Sequence, residues 1–279
     1  MTVRDALAAA TRALGSSGCA DPRIDSELLL MHVLGLPRHA LHMASGMSLD
    51  PVREAEYLAL VEARAGRIPL QHLTGEAWFM GRRFLAGPGA LVPRQDTEAT
   101  VEILLGMAGT GPSRLLDAGT GSGVIAITLA LEFPDCLVVG SDVSPDALRL
   151  AARNRALHGA WNTALLRCDL GGALSGGFDG IAANLPYIPS GMIQTLQPEV
   201  GVHDPFVSLD GGPDGMVLIR RFALEAARLL RPGGALVLEA SGPQPSILAS
   251  WLSSTGGWID VRHGADLSGK PRWVSARRP

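Results

Sequence analysis

Short apolar runs alternate with helical stretches over the second half of the chain, and this alternation constrains the fold more than any other feature of the sequence. The apolar runs lie at residues 114–117, 137–141, 164–168, 180–183 and 235–239. Stretches in which apolar residues recur at helical spacing separate several of these runs, at residues 124–132, 145–157 and 216–230. Such alternation predicts a parallel sheet with helices on both faces. Two final segments, 258–262 and 273–276, are expected to add an antiparallel edge pair, which gives a doubly wound, mostly parallel α/β sheet of seven strands.

The N-terminal part of the chain has a different pattern. From residue 2 to about residue 66, apolar residues recur every three or four positions, which predicts a small helical bundle. Asp25 or Ser26 could cap one of these helices. Ser48 or Asp50, followed by Pro51, is suited to begin another, because proline is tolerated at the first helical position.

A hairpin pattern connects the helical part to the rest. Between Gly75 and Pro93, aromatic and apolar residues are interrupted by Gly81 and by the turn signal Gly87-Pro88-Gly89. We therefore predict an N-terminal helical domain over residues 1–74, a β-hairpin linker over residues 75–95 and a second domain over residues 96–279. Two domains agree with a length of 279 residues, since single domains typically run to about 100–200 residues.

Charge and cysteine content argue against several classes of protein. Lys and Arg number 24 against 27 Asp and Glu, and a net charge of −3 gives no global cationic field that would favour nucleic acid. Cys19, Cys136 and Cys168 lie far apart without a C-x-x-C pair, which argues against a disulfide framework and a zinc site. No apolar run reaches the roughly 18 residues of a membrane span. We expect a cytoplasmic monomer without a metal, membrane association or stable nucleic-acid binding.

A glycine-rich loop follows the first parallel strand, which ends near Asp117. The loop consists of Gly119, Thr120, Gly121, Ser122 and Gly123. Glycines there let the chain turn sharply into a helix and let a ligand approach the backbone. The second strand ends at Asp142, 23 residues after Gly119, near the roughly 20-residue spacing of a carboxylate that binds a ribose diol. Loop and acid together predict a nucleoside pocket, although a loop of this kind can also serve only to turn the chain.

The glycine spacing distinguishes between nucleosides. A nicotinamide dinucleotide requires G-x-G-x-x-G, but Val124 occupies the third glycine position. With Gly123 one place early, the loop suits an amino-acid tail better than a pyrophosphate. Asp117 would receive the ammonium group of that tail, or else cap the helix. Asp169, after the third strand, could contact an adenine amino group or be an ordinary loop carboxylate. A nucleoside with an amino-acid tail meets these requirements, and S-adenosylmethionine is such a nucleoside.

The tetrapeptide Asn184-Leu185-Pro186-Tyr187 stands at the end of the fourth parallel strand, where open α/β sheets bind ligands. An amide or exocyclic amine nitrogen is a poor nucleophile because its lone pair is delocalised, so a site must orient it and accept its hydrogens. The Asn184 side chain and the Leu185 backbone carbonyl supply two acceptors, and Tyr187 offers a ring face to a flat acceptor or a sulfonium. A turn with a packed tyrosine is the structural alternative. The glycine- and proline-rich residues 188–215 are predicted to be a mobile lid, in preference to a general-base role for His203 and Asp204.

These residues resemble the release factor glutamine methyltransferase family (PrmC, also called HemK), whose members are protein N5-glutamine methyltransferases. The resemblance runs from about Arg67 to the C-terminus and includes the loop, the tetrapeptide and residues 69–75, 91–98, 209–212 and 231–234. It implies a Rossmann-like class I methyltransferase fold with S-adenosylmethionine as methyl donor. The implied acceptor is the N5 nitrogen of the glutamine in the Gly-Gly-Gln motif of class 1 peptide chain release factors, with residues 1–74 recognising the protein substrate.

The resemblance also implies roles for single residues. The donor would be lined by Gly119, Thr120, Gly121, Ser122, Gly123, Asp142, Leu170 and Asn184. Asn184, Leu185, Pro186 and Tyr187 would form the catalytic site and hold the glutamine amide, and Leu91 would contact the substrate. Leu170 stands where relatives often carry an aromatic residue beside the adenine, and Gln95 stands where they commonly have proline.

Three alternatives remain open at the level of sequence. A DNA adenine methyltransferase would use a related tetrapeptide to grip a flipped base, but such enzymes need a basic face that embraces DNA. A glutamine of a ribosomal protein is a second acceptor. A non-catalytic donor-binding module, in which Leu185 marks a decaying site, is the third.

Leu185 stands where the family usually has proline. Leucine still offers its backbone carbonyl and, because it precedes Pro186, remains biased toward extended dihedrals, but the fixed φ of proline is lost. We therefore expect Leu185→Pro to raise the rate at which a release factor is methylated, through better preorganisation. An unchanged or lower rate in a single-turnover methylation assay would contradict this expectation.

Overall fold

The computed structural model describes residues 1–279. Its helices are α1 Val3–Ser16, α2 Pro22–Leu34, α3 Arg38–Met43, α4 Pro51–Ala65, α5 Leu70–Thr74, α6 Glu98–Ala108, α7 Val124–Glu132, α8 Pro145–His158, α9 Pro198–Gly201, α10 Val217–Leu229 and α11 Gln244–Ser254. Its strands are β1 Glu76–Phe79, β2 Arg82–Leu85, β3 Arg114–Ala118, β4 Leu137–Asp142, β5 Thr163–Arg167, β6 Phe178–Ala183, β7 Leu230–Glu239, β8 Ile259–Ala265 and β9 Pro271–Arg277. Short 3₁₀ helices span Gln95–Thr97, Ser190–Thr195 and Phe206–Ser208. No helix is both long and apolar enough to cross a membrane.

The chain forms two compact units. The first consists of Met1–Glu76 together with Gln197–His203, and the second of Ala77–Leu196 together with Asp204–Pro279. The hairpin strands β1 and β2 pair with each other and lie in the second unit, apart from Glu76.

The second unit is built on a seven-stranded sheet in the order β5-β4-β3-β6-β7-β9-β8. The first five strands in this order are parallel, whereas β9 pairs antiparallel with both β7 and β8. This arrangement confirms the predicted mostly parallel sheet and its antiparallel edge pair. Ala118 at the end of β3 lies opposite Ser141 on β4 and Ala183 on β6, so three neighbouring strands end within one residue of the same level.

Apolar side chains fill both faces of this sheet. Successive strand residues point to opposite faces, and Leu115 and Leu116 accordingly belong to different core clusters. Leu115 packs in the cluster that contains Leu104 of α6 and Ile127 of α7. Leu116 packs in the cluster that contains Phe222 of α10, together with residues of α11. The sheet is therefore covered by helices on both sides, as expected for a parallel sheet.

The first unit is helical, as predicted. Its core contains the fully buried side chains of Leu14, Leu29 and Tyr57. Of the two residues predicted to begin α4, Ser48 and Asp50, it is Asp50 that caps the helix. Its carboxylate accepts hydrogen bonds from the backbone nitrogens of Val52 and Arg53.

The prediction that Asp25 or Ser26 caps a helix was wrong. The helix α2 begins at Pro22, after Asp21, because proline is preorganised for the first helical position. Asp25 and Ser26 consequently lie inside the helix and are buried. The Ser26 hydroxyl donates to the Arg23 carbonyl oxygen at 2.8 Å.

A cluster of buried charges joins the elements of the first unit. Arg64 of α4 donates to Asp25 of α2 at 2.8 Å and to Glu199 of α9 at 2.8 Å. Arg67 donates to the second oxygen of Glu199 at 2.6 Å. Burial raises the pKa of Asp25 even though Arg64 opposes the rise. Burial also acts against Glu199, but hydrogen bonds from Arg67 and Arg64 lower the pKa of that carboxyl to about 2.

Removing the Arg64 guanidinium should destabilise the first unit strongly. Arg64→Ala leaves the buried carboxylate of Asp25 without its partner, and we expect the free energy of unfolding in urea to fall by about 3 kcal/mol. The matched control is Arg53→Ala on the same helix, because the exposed pair of Arg53 and Glu56 contributes only about 0–1 kcal/mol. Equal losses of unfolding free energy in the two variants would show that the buried ion pairs of Arg64 do not stabilise the first unit.

Candidate active site

A cavity of about 330 Å³ opens in the second unit beyond the carboxyl ends of β3, β4 and β6. Most of the predicted site residues line it: Leu91, Gly119, Thr120, Gly121, Ser122, Asp142, Asp169, Leu170, Asn184, Leu185 and Pro186. Asp117, Gly123 and Tyr187 do not line the cavity. Strand order explains why these residues meet. The loop follows β3, Asp142 ends β4 and Asn184 follows β6, and these three strands are neighbours in the sheet.

The glycine-rich loop turns tightly at the end of β3. The backbone nitrogens of Gly119 and Thr120 both donate to the Ser141 carbonyl oxygen of β4, at 2.8 and 2.9 Å. Gly119 has a φ of +74°, and a Cβ there would come within 2.9 Å of Leu185 Cδ2. Gly123 has a φ of +85° and stands directly before α7. Only glycine meets these two requirements of positive φ and close approach without strain.

Asp117 is fully buried beneath the loop. Its Oδ2 accepts hydrogen bonds from the Thr120 hydroxyl at 2.6 Å and from the Ala126 backbone nitrogen at 3.0 Å. Burial raises the pKa of Asp117 to about 7, with a smaller contribution from the charge of Asp142. The Oδ1 atom accepts no hydrogen bond from the chain. The carboxyl group therefore fixes the loop to the first turn of α7 and keeps one acceptor atom unused.

Asp142 is held at the end of β4 by two backbone hydrogen bonds. Its Oδ2 accepts from the Gly121 nitrogen at 2.9 Å, and its Oδ1 accepts from the Ser144 nitrogen at 2.8 Å. Because a carboxylate oxygen has two lone pairs, each oxygen can accept one further hydrogen bond. Asp142 can therefore bind a diol while it anchors the loop.

Asp169 and Leu170 border the other end of the cavity. The Asp169 carboxylate pairs with Arg221 at 2.5 Å, so this acid and this base are partnered at the surface. Leu170 is buried and has a φ of +50°, which is uncommon for a residue with a side chain. The Ser141 hydroxyl donates to the Leu170 carbonyl oxygen at 2.9 Å and stabilises this conformation.

The tetrapeptide is fixed at both ends. Asn184 Nδ2 donates to Thr97 Oγ1 at 2.9 Å, which leaves Oδ1 as the acceptor end of the amide. The Tyr187 hydroxyl donates to Glu239 Oε1 at 3.3 Å and accepts from Arg272 Nη1 at 3.4 Å. Burial, followed by the charge of Glu239, raises the pKa of Tyr187. The tyrosine is therefore held as a neutral phenol by groups outside the cavity.

Leu185 connects the tetrapeptide to the loop. Its side chain is 3% exposed and belongs to the core cluster that includes Leu116 and Phe222. Its Cδ2 occupies the space in which a side chain at Gly119 would otherwise lie. The residue that differs from the family pattern thus packs against the glycine-rich loop, in addition to offering its backbone carbonyl.

Residues 188–215 contain more structure than a plain lid would have. They include the 3₁₀ helices Ser190–Thr195 and Phe206–Ser208, and Ile188 forms a parallel bridge with Asp210. The Asp204 side chain is buried and pairs with Arg94 at 3.0 Å, which indicates an anchoring role at the cavity. The mobility of this segment stays a prediction.

Sequence reasoning missed the role of Thr97, Glu239 and Arg272. Thr97 lies in the family-like segment 91–98 but was given no function. Glu239 is 1% exposed at the carboxyl end of β7, and burial raises its pKa to about 7. An acid that closes an otherwise apolar buried strand is the signal that could have identified it, because ligands bind at this end of the sheet.

Comparisons with known proteins agree with this architecture. A model of the PrmC N-terminal domain matches residues 5–75, and a model of a methyltransferase domain matches residues 111–261. A release factor glutamine methyltransferase from Deinococcus radiodurans is 41% identical over 100% of this chain and 99% of its own length. The protein of the same name from Mycolicibacterium smegmatis is 39% identical over 99% of this chain and 98% of its own length.

Solved structures show the same fold at low sequence identity. A methyltransferase from Pyrococcus furiosus has a TM-score of 0.51 and 21% identity, over 71% of this chain and 89% of that chain. The T. thermophilus 16S rRNA methyltransferase RsmC, in complex with AdoMet and guanosine, has a TM-score of 0.51 and 20% identity over 73% of this chain and 50% of that chain. The fold, together with the methyltransferase-domain match over residues 111–261, therefore defines a class I methyltransferase, which confirms the predicted fold class. The chain belongs to the release factor glutamine methyltransferase family.

Gly211 tests how closely the tetrapeptide is packed. A Cβ at Gly211 would lie 2.5 Å from the Gly215 carbonyl oxygen and 2.7 Å from the Pro186 carbonyl oxygen. Because both atoms are backbone, the tetrapeptide or its neighbour must move, and we expect Gly211→Ala to lower the free energy of unfolding by about 1–3 kcal/mol. The matched control is Gly191→Ala, where a Cβ meets no atom within 4 Å and the change should stay within about 0.5 kcal/mol. Equal stabilities of the two variants in urea unfolding would refute this close packing.

Proposed function

We propose that this chain transfers a methyl group from S-adenosylmethionine to the N5 side-chain nitrogen of the glutamine in the Gly-Gly-Gln motif of class 1 peptide chain release factors. The observation that carries the proposal is the placement of Asn184, which lines the same cavity as the glycine-rich loop and has its Nδ2 engaged by Thr97. Its Oδ1 is therefore available to an acceptor nitrogen that bears two hydrogens. The names of the full-length relatives support the same acceptor.

The cavity fits S-adenosylmethionine as the donor. At Gly119 a side chain is excluded, so bare backbone borders the cavity where a ligand would approach. We assign the donor to Gly119, Thr120, Gly121, Ser122, Gly123, Asp142, Asp169, Leu170 and Asn184. Asp142 has one acceptor position left on each oxygen for a ribose diol. Asp117 does not line the cavity, so we assign its unused Oδ1 to the ammonium group of the donor through a bridging water. When bound, S-adenosylmethionine supplies an electrophilic methyl group on a sulfonium.

On the acceptor side, the chain orients a nitrogen that is intrinsically unreactive. Asn184 Oδ1 and the Leu185 carbonyl oxygen accept the two amide hydrogens, which holds the nitrogen lone pair in one direction. The nitrogen forms a bond to the methyl carbon while the S–CH₃ bond of the donor breaks, and that electron pair stays on sulfur as a neutral thioether. The nitrogen then loses one of its hydrogens as a proton to water. Positioning of this kind can lower a barrier by about 7–11 kcal/mol without a strong base. Pro186 and Tyr187 hold these acceptors in place, and Leu91 is assigned to substrate contact.

The remaining parts of the chain are assigned to substrate recognition. We infer that residues 1–74 form the substrate-recognition domain, residues 75–95 the hairpin linker and residues 96–279 the methyltransferase domain. The match of residues 5–75 to the PrmC N-terminal domain supports this assignment. The net charge of −3 favours a protein substrate over DNA adenine.

Mass spectrometry of a class 1 release factor tests the proposal. After incubation with the chain and S-adenosylmethionine, we expect one methyl group on the glutamine of the Gly-Gly-Gln motif and none on a ribosomal protein or on duplex DNA offered beside it. A release factor in which that glutamine is replaced by asparagine should gain no methyl group. Methylation of either competing acceptor in preference to the release factor would refute the proposal.

Asp142 provides the matching test of the donor site. In Asp142→Asn one backbone donor, from Gly121 or Ser144, loses its acceptor, and loss of a hydrogen bond to a charged group corresponds to about 10- to 100-fold in affinity. We therefore expect the dissociation constant for S-adenosylmethionine, measured by calorimetry, to rise by this factor. Asp146→Asn, on a nearby exposed acid outside the cavity, is the control and should bind like the parent chain.

A further inference from the structure

Gln244, the first residue of α11, connects three backbone segments through its side-chain amide. The residue is 7% exposed, and its Nε2 atom donates to the Tyr187 carbonyl oxygen at 2.8 Å and to the Asp214 carbonyl oxygen at 3.3 Å. Its Oε1 atom accepts from the Ser241 backbone nitrogen at 3.1 Å. Both hydrogens and the oxygen of the amide are therefore engaged, and one of the partners is the last carbonyl group of the tetrapeptide.

The neighbours of this amide allow a single orientation. A carbonyl oxygen accepts hydrogen bonds and a backbone N–H donates them, so the NH₂ end must face Tyr187 and Asp214. A turned amide would bring its oxygen against two carbonyl oxygens. The backbone nitrogen of Gln244 also donates to the Ser241 carbonyl oxygen at 3.1 Å, which fixes the turn from which the side chain extends. The NH₂ group is thus aimed at the tetrapeptide by its own chain neighbours.

Gly215 leaves free the space in which this contact forms. It has a φ of +73°, and a Cβ there would lie 2.5 Å from Gln244 Nε2 and closer still to the Tyr187 carbonyl oxygen. A side chain at this position would therefore force apart the donor and the acceptor of the 2.8 Å hydrogen bond. The missing side chain of Gly215 and the amide of Gln244 are separate observations that point to the same contact.

The Tyr187 carbonyl group is close in the chain to an acceptor of the proposed reaction. The peptide group between Tyr187 and Ile188 is held at its carbonyl by Gln244 and at its nitrogen by the Leu209 carbonyl oxygen, at 3.0 Å. Pro186 alone separates Tyr187 from Leu185. Because the proline ring fixes φ at about −65°, a shift at Tyr187 is passed on to the peptide group that carries the Leu185 carbonyl.

We propose that Gln244 is a positioning residue, whose side-chain amide fixes the Tyr187 carbonyl group and thereby holds the tetrapeptide backbone so that the Leu185 carbonyl oxygen faces the acceptor nitrogen. The inference rests on the proposed function, in which that oxygen accepts one of the two amide hydrogens. Gln244 does not line the cavity, so it acts through the tetrapeptide and touches neither donor nor acceptor. Glu239 holds the side chain of Tyr187, whereas Gln244 holds its backbone.

Gln244→Met removes the amide and keeps the length of the side chain. We expect kcat for the release factor to fall about 10- to 100-fold, because small misplacements of an active-site group have effects of this size. The dissociation constant of S-adenosylmethionine should stay that of the parent chain, since Gln244 lies outside the cavity.

The matched control is Asn162→Leu. The Asn162 amide also donates to backbone carbonyl oxygens, those of Ala130, Phe133 and Cys136 at 2.9–3.1 Å, but it lies away from the cavity and the tetrapeptide. This variant loses comparable hydrogen bonds and should keep the parental kcat per folded molecule. Equal falls of kcat in the two variants would show that Gln244 contributes stability alone and would overturn the inference.

Gly215→Ala disturbs the same contact while leaving Gln244 in place, and kcat should fall to a similar extent. The matched control is Gly233→Ala, where φ is +79° and a Cβ meets no atom within 4 Å, so the backbone strain is alike but the collision is absent. Because Gly215→Ala and Gln244→Met break one contact, the double variant should be little worse than the more impaired single variant. Additive losses of kcat would contradict the proposed route.

The two tyrosines of the chain, Tyr57 and Tyr187, allow a measurement without any acceptor. In protein labelled with ¹³C at the tyrosine carbonyl carbon, the signal that remains in Tyr57→Phe belongs to Tyr187. A carbonyl carbon that loses a hydrogen-bond donor moves upfield, and we expect this movement of the Tyr187 signal in Gln244→Met and none in Asn162→Leu.

This measurement separates the inference from the proposed function. An unmoved Tyr187 signal in Gln244→Met would overturn the inference whatever the acceptor is. A moved signal, found while the parent chain leaves the release factor unmethylated, would reject the proposed acceptor and retain the hold of Gln244 on the tetrapeptide.

Discussion

The parallel pairing of β3 with β4 on one side and β6 on the other is the constraint on which the site depends. Backbone hydrogen bonds set the register, so Ala118, Ser141 and Ala183 lie at one level. One residue further along, the three strands deliver Gly119, Asp142 and Asn184 to the same edge of the sheet. A donor pocket and an acceptor site can then share one cavity, because ligands bind beyond the carboxyl ends of parallel strands and these three ends are adjacent.

Buried carboxyl groups provide the second level of organisation. Asp117 and Glu239 are both almost completely buried, and burial raises the pKa of each to about 7. A buried acid without partners is costly, so each one orders the donors around it. Asp117 orders the loop and the first turn of α7, and Glu239 orders the tetrapeptide. The loop on the donor side of the cavity and the tetrapeptide on the acceptor side are thus each held by one buried acid.

Apolar packing connects the two halves. Leu185 lies against Gly119, so the tetrapeptide and the glycine-rich loop share one van der Waals contact. Glycine at position 119 is required both by its positive φ and by the space that Leu185 fills. Closely packed interiors transmit small displacements, and a change on the acceptor side is therefore felt on the donor side.

The sequence by itself determined the α/β class, the sheet of mostly parallel strands and the position of the glycine-rich loop. The periodicity of apolar residues carries this information locally, and α7 accordingly has the bounds expected from its pattern. The sequence did not reveal α11, whose serines and proline make a weak helical signal, nor the true start of α2.

Only the tertiary structure decided which side chains meet. Thr97 and Asn184 are 87 residues apart, and Tyr187 lies 52 residues from Glu239 and 85 from Arg272. These contacts depend on strand order and on the antiparallel return of β9 beside β7, which no local pattern specifies. The sequence thus located the residues of the site one strand end at a time, while the sheet determined their neighbours.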